Sequence, residues 1–527
     1  MSVSNLIPQI PKEEITPVIA GLLEIIQKQS EEIQMLKDEI ARLKGQKPKP
    51  KIKPSNLDKN TDKPSKEKKS QENKEKRSKT IHLEIYEERK LYPQCLPTGS
   101  KLIDYKDFIV QDIIFENRNV LYKRARYQTP SGEYITADLP EDVKGHFGIG
   151  LKTFVLYQHY GCLVTQPLIT EQLREIGVDI SKGKINDILI HGKDDFHDEK
   201  DQILSTALSL SGHINVDDTG ARHNGKNGYC THIGNEYFAW FETTSSKSRV
   251  NFLKLLRTGA GYNDFIINED ALEYMHKQGL PKFQLEKLAK FQASRYKTEK
   301  KWLKFLKASE ITTDHHVRIA TEGGLVGSII HHGYNKSMVI ISDDAGQFNV
   351  FLHGLCWVHA ERTIHKLIGF TEQHIKLLED TRTDIWNLYR ELKEYRLNPD
   401  ELNKGKLEKQ FDELFTRKTG WASLDLALKR IFKNKTELLL VLDRPDIPLH
   451  NNLSENDIRE YVKKRKISGS TRSEAGRKCR DSFTSLKKTC RKLKISFWAY
   501  LTDRLYRRNK IPPLYEIIAQ KMAASVT

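Results

Sequence analysis

Near the start of the chain, apolar residues recur in alternating steps of four and three. They are Ile15, Ile19, Leu22, Ile26, Ile33, Leu36, Ile40 and Leu43, with Gln29 as the polar member of the series. A 3.5-residue repeat keeps one stripe turned toward a partner helix. Residues 12–45 are therefore expected to form a coiled coil pairing two copies of the chain, with Gln29 fixing the register. A single amphipathic helix lying on the protein's own body is the competing reading, and Pro17 makes the first heptad the weakest. After Gly45 the pattern stops. Residues 46–80 hold Lys, Pro, Ser, Asn and Glu with almost nothing apolar, which predicts a disordered basic linker.

Short alternating runs follow: Phe108-Ile109-Val110, Val120-Leu121-Tyr122 and Tyr134-Ile135. They predict a small β-rich module over 81–147. Helical periodicity takes over in 148–205. Ile169 to Gly192 reads as a helix, a turn at Gly177 and a second helix capped near Ser181. That is a helix-turn-helix pattern, whose second helix would lie in a DNA major groove. Two packed core helices fit it equally well.

Residues 206–370 change character again. His213 to Asp217 reads as a short strand ending in acid, and Cys230–Ile233 and Tyr237–Phe241 as two further strands about a tight Gly234-Asn235 turn. Such a meander opens a ribonuclease-H-like sheet. Ser246 to Leu256 reads as a helix, and 262–330 as an extra Lys-rich helical segment. Ser337 to Asp343 is apolar on both faces up to its terminal acids, the signature of a central strand. Phe351 to Trp357 would be the next strand. Residues 371–445 read as helical throughout. The core would resume over 446–527, where Asn451 to Glu455 opens a helix running into Arg459, Lys463, Lys464, Arg465 and Lys466. The expected fold class is thus an α/β ribonuclease-H-like core with an all-helical insertion. Before it come the coiled coil, the basic linker, the β-rich module and the helical DNA-binding region.

Charge sharpens this picture. The 527 residues carry net +17, of which 44–79 contributes +9 and 459–510 contributes +14, leaving the remainder net negative. Two separate basic stretches suit a polyanion touched at two places. No segment reaches the roughly 20 apolar residues of a membrane span. The opening MSVSNLIPQIPKEE lacks the basic-then-apolar order of a secretory leader, so no membrane association and a cytoplasmic location are expected. The six cysteines form no CxxC pair, which disfavours a disulfide framework and a Cys-rich zinc finger.

Asp217, Asp343 and Glu455 then become the candidate catalytic and metal-binding residues. Read alone, each is more often a solvated or capping acid, and Asp218 and Asp344 are adjacent alternatives. The conjunction carries the argument: two acid-ended strands, then a helix beginning in acid and continuing basic. Phosphodiester chemistry by two Mg²⁺ ions, with Mn²⁺ as a substitute, needs a compact set of hard oxygen ligands. Arg459, Lys463, Lys464, Arg465 and Lys466 would bind DNA phosphates. In CWVHAERTIH, Cys356, His359 and His365 lack a fourth ligand for zinc. His359 is a candidate accessory residue.

INVDDTGAR, IISDDAG, GLCWVHAERTIHKL and NNLSENDIREYVKKRKISGSTRSEAGR resemble the DDE transposases of bacterial insertion-sequence family 66, over about residues 150–505. The resemblance implies a ribonuclease-H-like core with a helical insertion before the last carboxylate, and Asp217, Asp343 and Glu455 as the metal-binding triad. It also implies cleavage of DNA at the element's terminal inverted repeats and strand transfer into target DNA. Element-encoded helper proteins are implied only by this resemblance. The chain departs from the family pattern in three places. Cys95 stands alone where a Cys-pair zinc module is usual. The two Asp are 126 residues apart, with the excess assigned to 262–330. Asn456 follows Glu455 where Arg is common. A catalytically inactive, DNA-binding relative and a structure-selective nuclease on the same fold are the alternative readings.

Overall fold

The computed structural model describes residues 84–95, 97–141, 143 and 145–524, together with Ile25 and Gln29. The coiled coil expected over 12–45 and the linker over 46–80 lie outside the described residues, apart from those two positions, which are helical.

The β-rich expectation for 81–147 needs correction. Residues 84–119 hold no helix or strand among the described residues. Only one hairpin follows, β1 (Arg126–Gln128) against β2 (Tyr134–Thr136), with Arg126 opposite Thr136. The apolar side chains that set up the alternation are exposed: Phe108 at 89%, Leu121 at 80% and Val110 at 74%. Strand-forming residues make a sheet only when a face is buried, and an isolated hairpin is marginal by itself.

From residue 149 the chain is largely helical. α1 (Ile149–Leu156) runs into a π-helical turn at Tyr157–Gly161, then come α2 (Gln166–Glu175), α3 (Lys182–Ile190) and α4 (Asp194–Leu210). Gly177 turns the chain between α2 and α3 at φ +80°, a conformation costly for a residue with a Cβ. Ser181 caps α3 by accepting the amide of Lys184.

The central sheet begins at β3 (His213–His223), which pairs antiparallel with β4 (Lys226–Gly234), itself paired with β5 (Ala239–Thr244). A long excursion follows: α5 (Arg249–Leu255), β6 (Phe265–Ile266), α6 (Glu269–Lys277), α7 (Lys282–Ala289), β7 (Arg295–Tyr296), α8 (Glu299–Ala308) and α9 (Asp314–His331). The chain then re-enters the sheet as β8 (Val339–Ser342) and β9 (Leu352–Leu355), giving the order β5-β4-β3-β8-β9. β3, β8 and β9 are parallel, and β8 is fully buried, as a central strand with both faces covered must be.

After β9 come α10 (Trp357–His365), α11 (Glu372–Tyr395), α12 (Glu401–Thr416), α13 (Ala422–Phe432) and α14 (Lys435–Leu438). These helices close on their own apolar core of Leu392, Phe411, Phe415, Leu424 and Leu428, into which Trp357 projects. The last helices are α15 (Asn452–Ser468), α16 (Glu474–Lys492), α17 (Phe497–Leu505) and α18 (Leu514–Ala524). The structure is thus a mixed α/β fold, a five-stranded mixed sheet among many helices. Among the described residues no helix is long and apolar enough to cross a membrane.

α16 seals one edge of the sheet. Asp481, Ser485 and Thr489 lie four residues apart on one helical face, and their side chains accept the amides of Thr243, Phe241 and Ala239 at 2.8, 2.9 and 3.1 Å. The outward amides of β5 are thereby satisfied by side chains rather than left open to another strand.

Candidate active site

The three predicted acids sit on elements that the fold brings together. β3 and β8 pair in parallel through His213–Val339, Ile214–Ile340 and Asn215–Ile341. The same register carried two residues further sets Asp217 opposite Asp343, which directly follows the last residue of β8. Asp217 is not at the tip of a short strand, as its sequence suggested. β3 continues to His223 because β4 stays paired along it, with Asp217 opposite His232. Only the pairing to β8 stops, so Asp217 lies where the two parallel strands part.

Their neighbours turn elsewhere. Asp218 accepts the Gln347 amide at 2.6 Å, with Lys247 4.0 Å away. Asp344 is exposed and meets Arg430 at 3.1 Å and Asn434 at 3.3 Å, both from α13 and its end. Asp343 accepts the amide of Ala345. Burial pushes the Asp217 carboxyl up to about 7, and the negative charges of Asp343, Asp218 and Glu455 add to the rise. The amide of Asp218, 2.7 Å from Oδ1, works against it.

Glu455 arrives on the first turn of α15. The buried Asn451 side chain fastens the start of that helix to β3: its Oδ1 accepts from Asn215 at 2.9 Å, and its Nδ2 donates to the Val216 carbonyl at 2.8 Å. The Asn451 amide donates to Cys356 Sγ at 3.2 Å, which fixes the joint between β9 and α10 as well. Burial of that thiol pushes it up to about 11. One turn further, Ser454 bonds His232 at 2.6 Å, and Asp457 meets His232 at 3.2 Å, Lys488 at 3.0 Å and Lys492 at 2.8 Å. Glu455 Oε1 stands 3.3 Å from Arg362 Nη1 and 3.5 Å from His359 Nε2, both on α10. Burial holds the His359 ring below its ordinary pKa, although Glu455 and Asp343 pull it upward. His365 is exposed, away from this group. As they stand, no three His, Cys, Asp or Glu side chains among the described residues are drawn together into a set that could hold a metal ion.

The family model described as "Transposase IS66 family" matches residues 288–479, a stretch containing Asp343 and Glu455 and beginning after Asp217. An uncharacterized protein of Sinorhizobium fredii, y4jO, is 43% identical over 322 residues, which are 60% of this chain and 100% of that protein. The chain belongs to the IS66 transposase family.

In this IS66-family chain, α15 divides the five predicted phosphate ligands. Arg459, Lys463 and Lys466 are exposed on the face that Glu455 begins, at helical spacings of four, four and three. Arg465 is half-buried and reaches Thr219 on β3 at 3.4 Å. Lys464 departs from the expectation. It is 3% exposed, donates to the His159 carbonyl at 2.7 Å and lies 5.7 Å from the centre of the Tyr160 ring. Its place in a run of bases gave no sign of this, because a one-residue step along a helix turns the side chain by about 100°. Asn451, His232, Asp457 and Arg362 were not singled out from the sequence. The paired Asn of NNLSEN was the one available signal for Asn451.

Proposed function

We propose that this family member is a DNA transposase whose Asp217, Asp343 and Glu455 form a DDE triad for cutting element ends and joining them to target DNA. The carrying observation is the convergence of three chain segments: parallel strands that part at Asp217 and Asp343, and a helix bearing Glu455 clasped to the same strand by Asn451. The sheet order, with an antiparallel meander leading into two parallel strands, supports a ribonuclease-H-like core. The helical segment α11–α14, between β9 and the Glu455 helix, supports the insertion.

The donor set is all carboxylate oxygen, which suits a hard divalent cation. Two Mg²⁺ ions, or Mn²⁺, would activate the attacking oxygen and stabilise the leaving one during in-line phosphoryl transfer. Asp217 and Asp343 would hold them from the strand ends, and Glu455 from the helix. Arg362 and His359 restrain the Glu455 carboxylate. Arg459, Lys463 and Lys466 would hold the DNA backbone along α15, with no sequence preference. α2 and α3 are the candidate reader of the terminal repeats. Two copies joined through residues 12–45 would bring two DNA ends together.

The test is cleavage and strand transfer on duplexes carrying the element's terminal inverted repeats, with and without Mg²⁺. Asp217→Asn, Asp343→Asn and Glu455→Gln should each abolish both products while leaving DNA binding intact. Undiminished cutting by any one removes that residue from the triad. A non-cutting DNA-binding relative is the second reading, favoured by the engagement of Glu455 with Arg362 and His359. Absence of Mn²⁺ binding in a protein that still binds DNA would select it.

A further inference from the structure

The excursion between β5 and β8 has a surface that the charge totals conceal. Residues 282–307 carry nine Lys and Arg against two Glu. Glu286 is exposed, but the other nearby acids are engaged. Glu310 pairs with Lys287, Glu299 with Lys254 at 2.8 Å, and Asp264 with Arg295. Lys300, Lys301, Lys304 and Lys307 on α8 are left exposed, with no ion pair among the described residues. On the α-helical wheel, Lys300, Lys304 and Lys307 fall on one stripe with Lys301 beside it, opposite the buried Trp302 and Leu306 that fix α8 to its lobe. Thr298 caps the helix, so the stripe is held in a fixed orientation.

A cleft beside this lobe and one contact relate it to the sheet. Lys254, the partner of Glu299, also lines a cleft of about 810 Å³ whose wall includes the exposed Lys226 and Lys478. Arg249 donates to the carbonyl of Gly346, three residues after Asp343, at 2.7 Å. The same guanidinium reaches Gln278 at 2.8 Å and Glu322 at 3.6 Å, both within the lobe. A ligand held on α8 is therefore held by a body braced to the loop of Asp343.

We infer that α8 is a second phosphate-binding surface, separate from α15, on which Lys300, Lys301, Lys304 and Lys307 grip the sugar-phosphate backbone of duplex DNA. A row of unpaired ammonium groups along one helix matches a line of phosphates, and such contacts release counterions without reading bases. The assignment rests on reading the chain as a DNA-acting enzyme, but it needs neither metal nor cleavage.

The experiment titrates the full chain, without divalent metal, against a fluorescent 30-base-pair duplex of arbitrary sequence at several salt concentrations. The triple variant Lys300→Ala/Lys304→Ala/Lys307→Ala should lower the slope of log affinity against log salt by about 2 to 3, and should weaken binding at least about tenfold at 0.1 M salt. The matching triple Lys→Arg variant should restore both, which separates lost charge from a disturbed helix. Unchanged slope and affinity in the alanine variant would overturn the inference. So would an unchanged DNA slope accompanied by lost binding to poly-glutamate, which would assign the stripe to an acidic protein. If the chain cuts no DNA at all, the slopes still decide this surface independently of the catalytic reading.

Discussion

Asn451 Nδ2 donates to the carbonyl of Val216 at 2.8 Å, one residue before Asp217 and 235 residues away along the chain. The bond sets the start of the Glu455 helix against the strand that carries the first acid. Together with the Asn215 and Cys356 contacts, it makes Asn451 a positioning residue for the proposed triad. Asn451→Ala should reduce Mg²⁺-dependent cleavage by about 10²-fold through misplacement of Glu455. It should also cost about 1–3 kcal/mol of stability for the buried partners left unpaired. Single-turnover rates at saturating DNA, with a denaturant melt alongside, separate the two effects. A rate that falls only as far as the folded fraction falls would reduce Asn451 to a structural role.

Lys464 gives a stability effect with a definite sign. Burial pushes its ammonium down to about 7, and Arg480 and Lys487 repel it further. The other groups against it are Tyr160 and the His159 ring, itself pushed down to about 3 and so neutral. The unfolded chain keeps this proton up to about 10.4. Between those values the unfolded state binds more protons, so the Lys464 contribution is absent below about 7 and grows as pH rises toward 10. Denaturant melts at pH 7.5 and 9.5 should show wild type gaining on Lys464→Met by on the order of 1–3 kcal/mol. Parallel pH profiles would disprove the burial effect.

The sealed edge of β5 predicts where polar-to-apolar changes hurt most on α16. Ser485→Ala leaves the amide of Phe241 buried without an acceptor, and should destabilise the fold by about 1–3 kcal/mol. Lys494→Ala, on an exposed lysine just beyond the same helix, should stay within about 0.5 kcal/mol. Equal melting shifts for the two would remove the edge-sealing role.

Asp457 faces His232, Lys492 and Lys488 in a nearly closed pocket, where the His232 ring and the two lysine charges outweigh burial and hold its carboxyl well below the usual carboxylate range. Asp457→Ala strands two lysines and should cost on the order of 3–5 kcal/mol, more than any change on the exposed stripe of α15. Thermal melts of Asp457→Ala beside Lys463→Ala would decide it.

Much of this was readable in the residues, because local pattern and local burial coincide in a central strand. Met338 to Ser342 shows its double-sided burial in its composition, and Asp343 follows the strand as read. Asp217 was harder. Its strand ends on one side only, and single-residue patterns carry no information about which neighbour leaves first. Phe108 and Leu121 alternate like strand residues, but alternation cannot supply the layer that would cover them. Lys464 and Asn451 were missed for a shared reason. Their roles come from partners about 300 and 235 positions away, which no window along the chain contains.

The four residues from Asp343 to Gly346 are tethered from two directions, by Arg249 with the β5–β8 excursion behind it and by Arg430 and Asn434 from the helical segment after β9. Neither appendage is ornament. A descendant copy that shed either one would leave this short loop anchored on a single flank, so trimming the gene at either place should loosen the turn that follows Asp343.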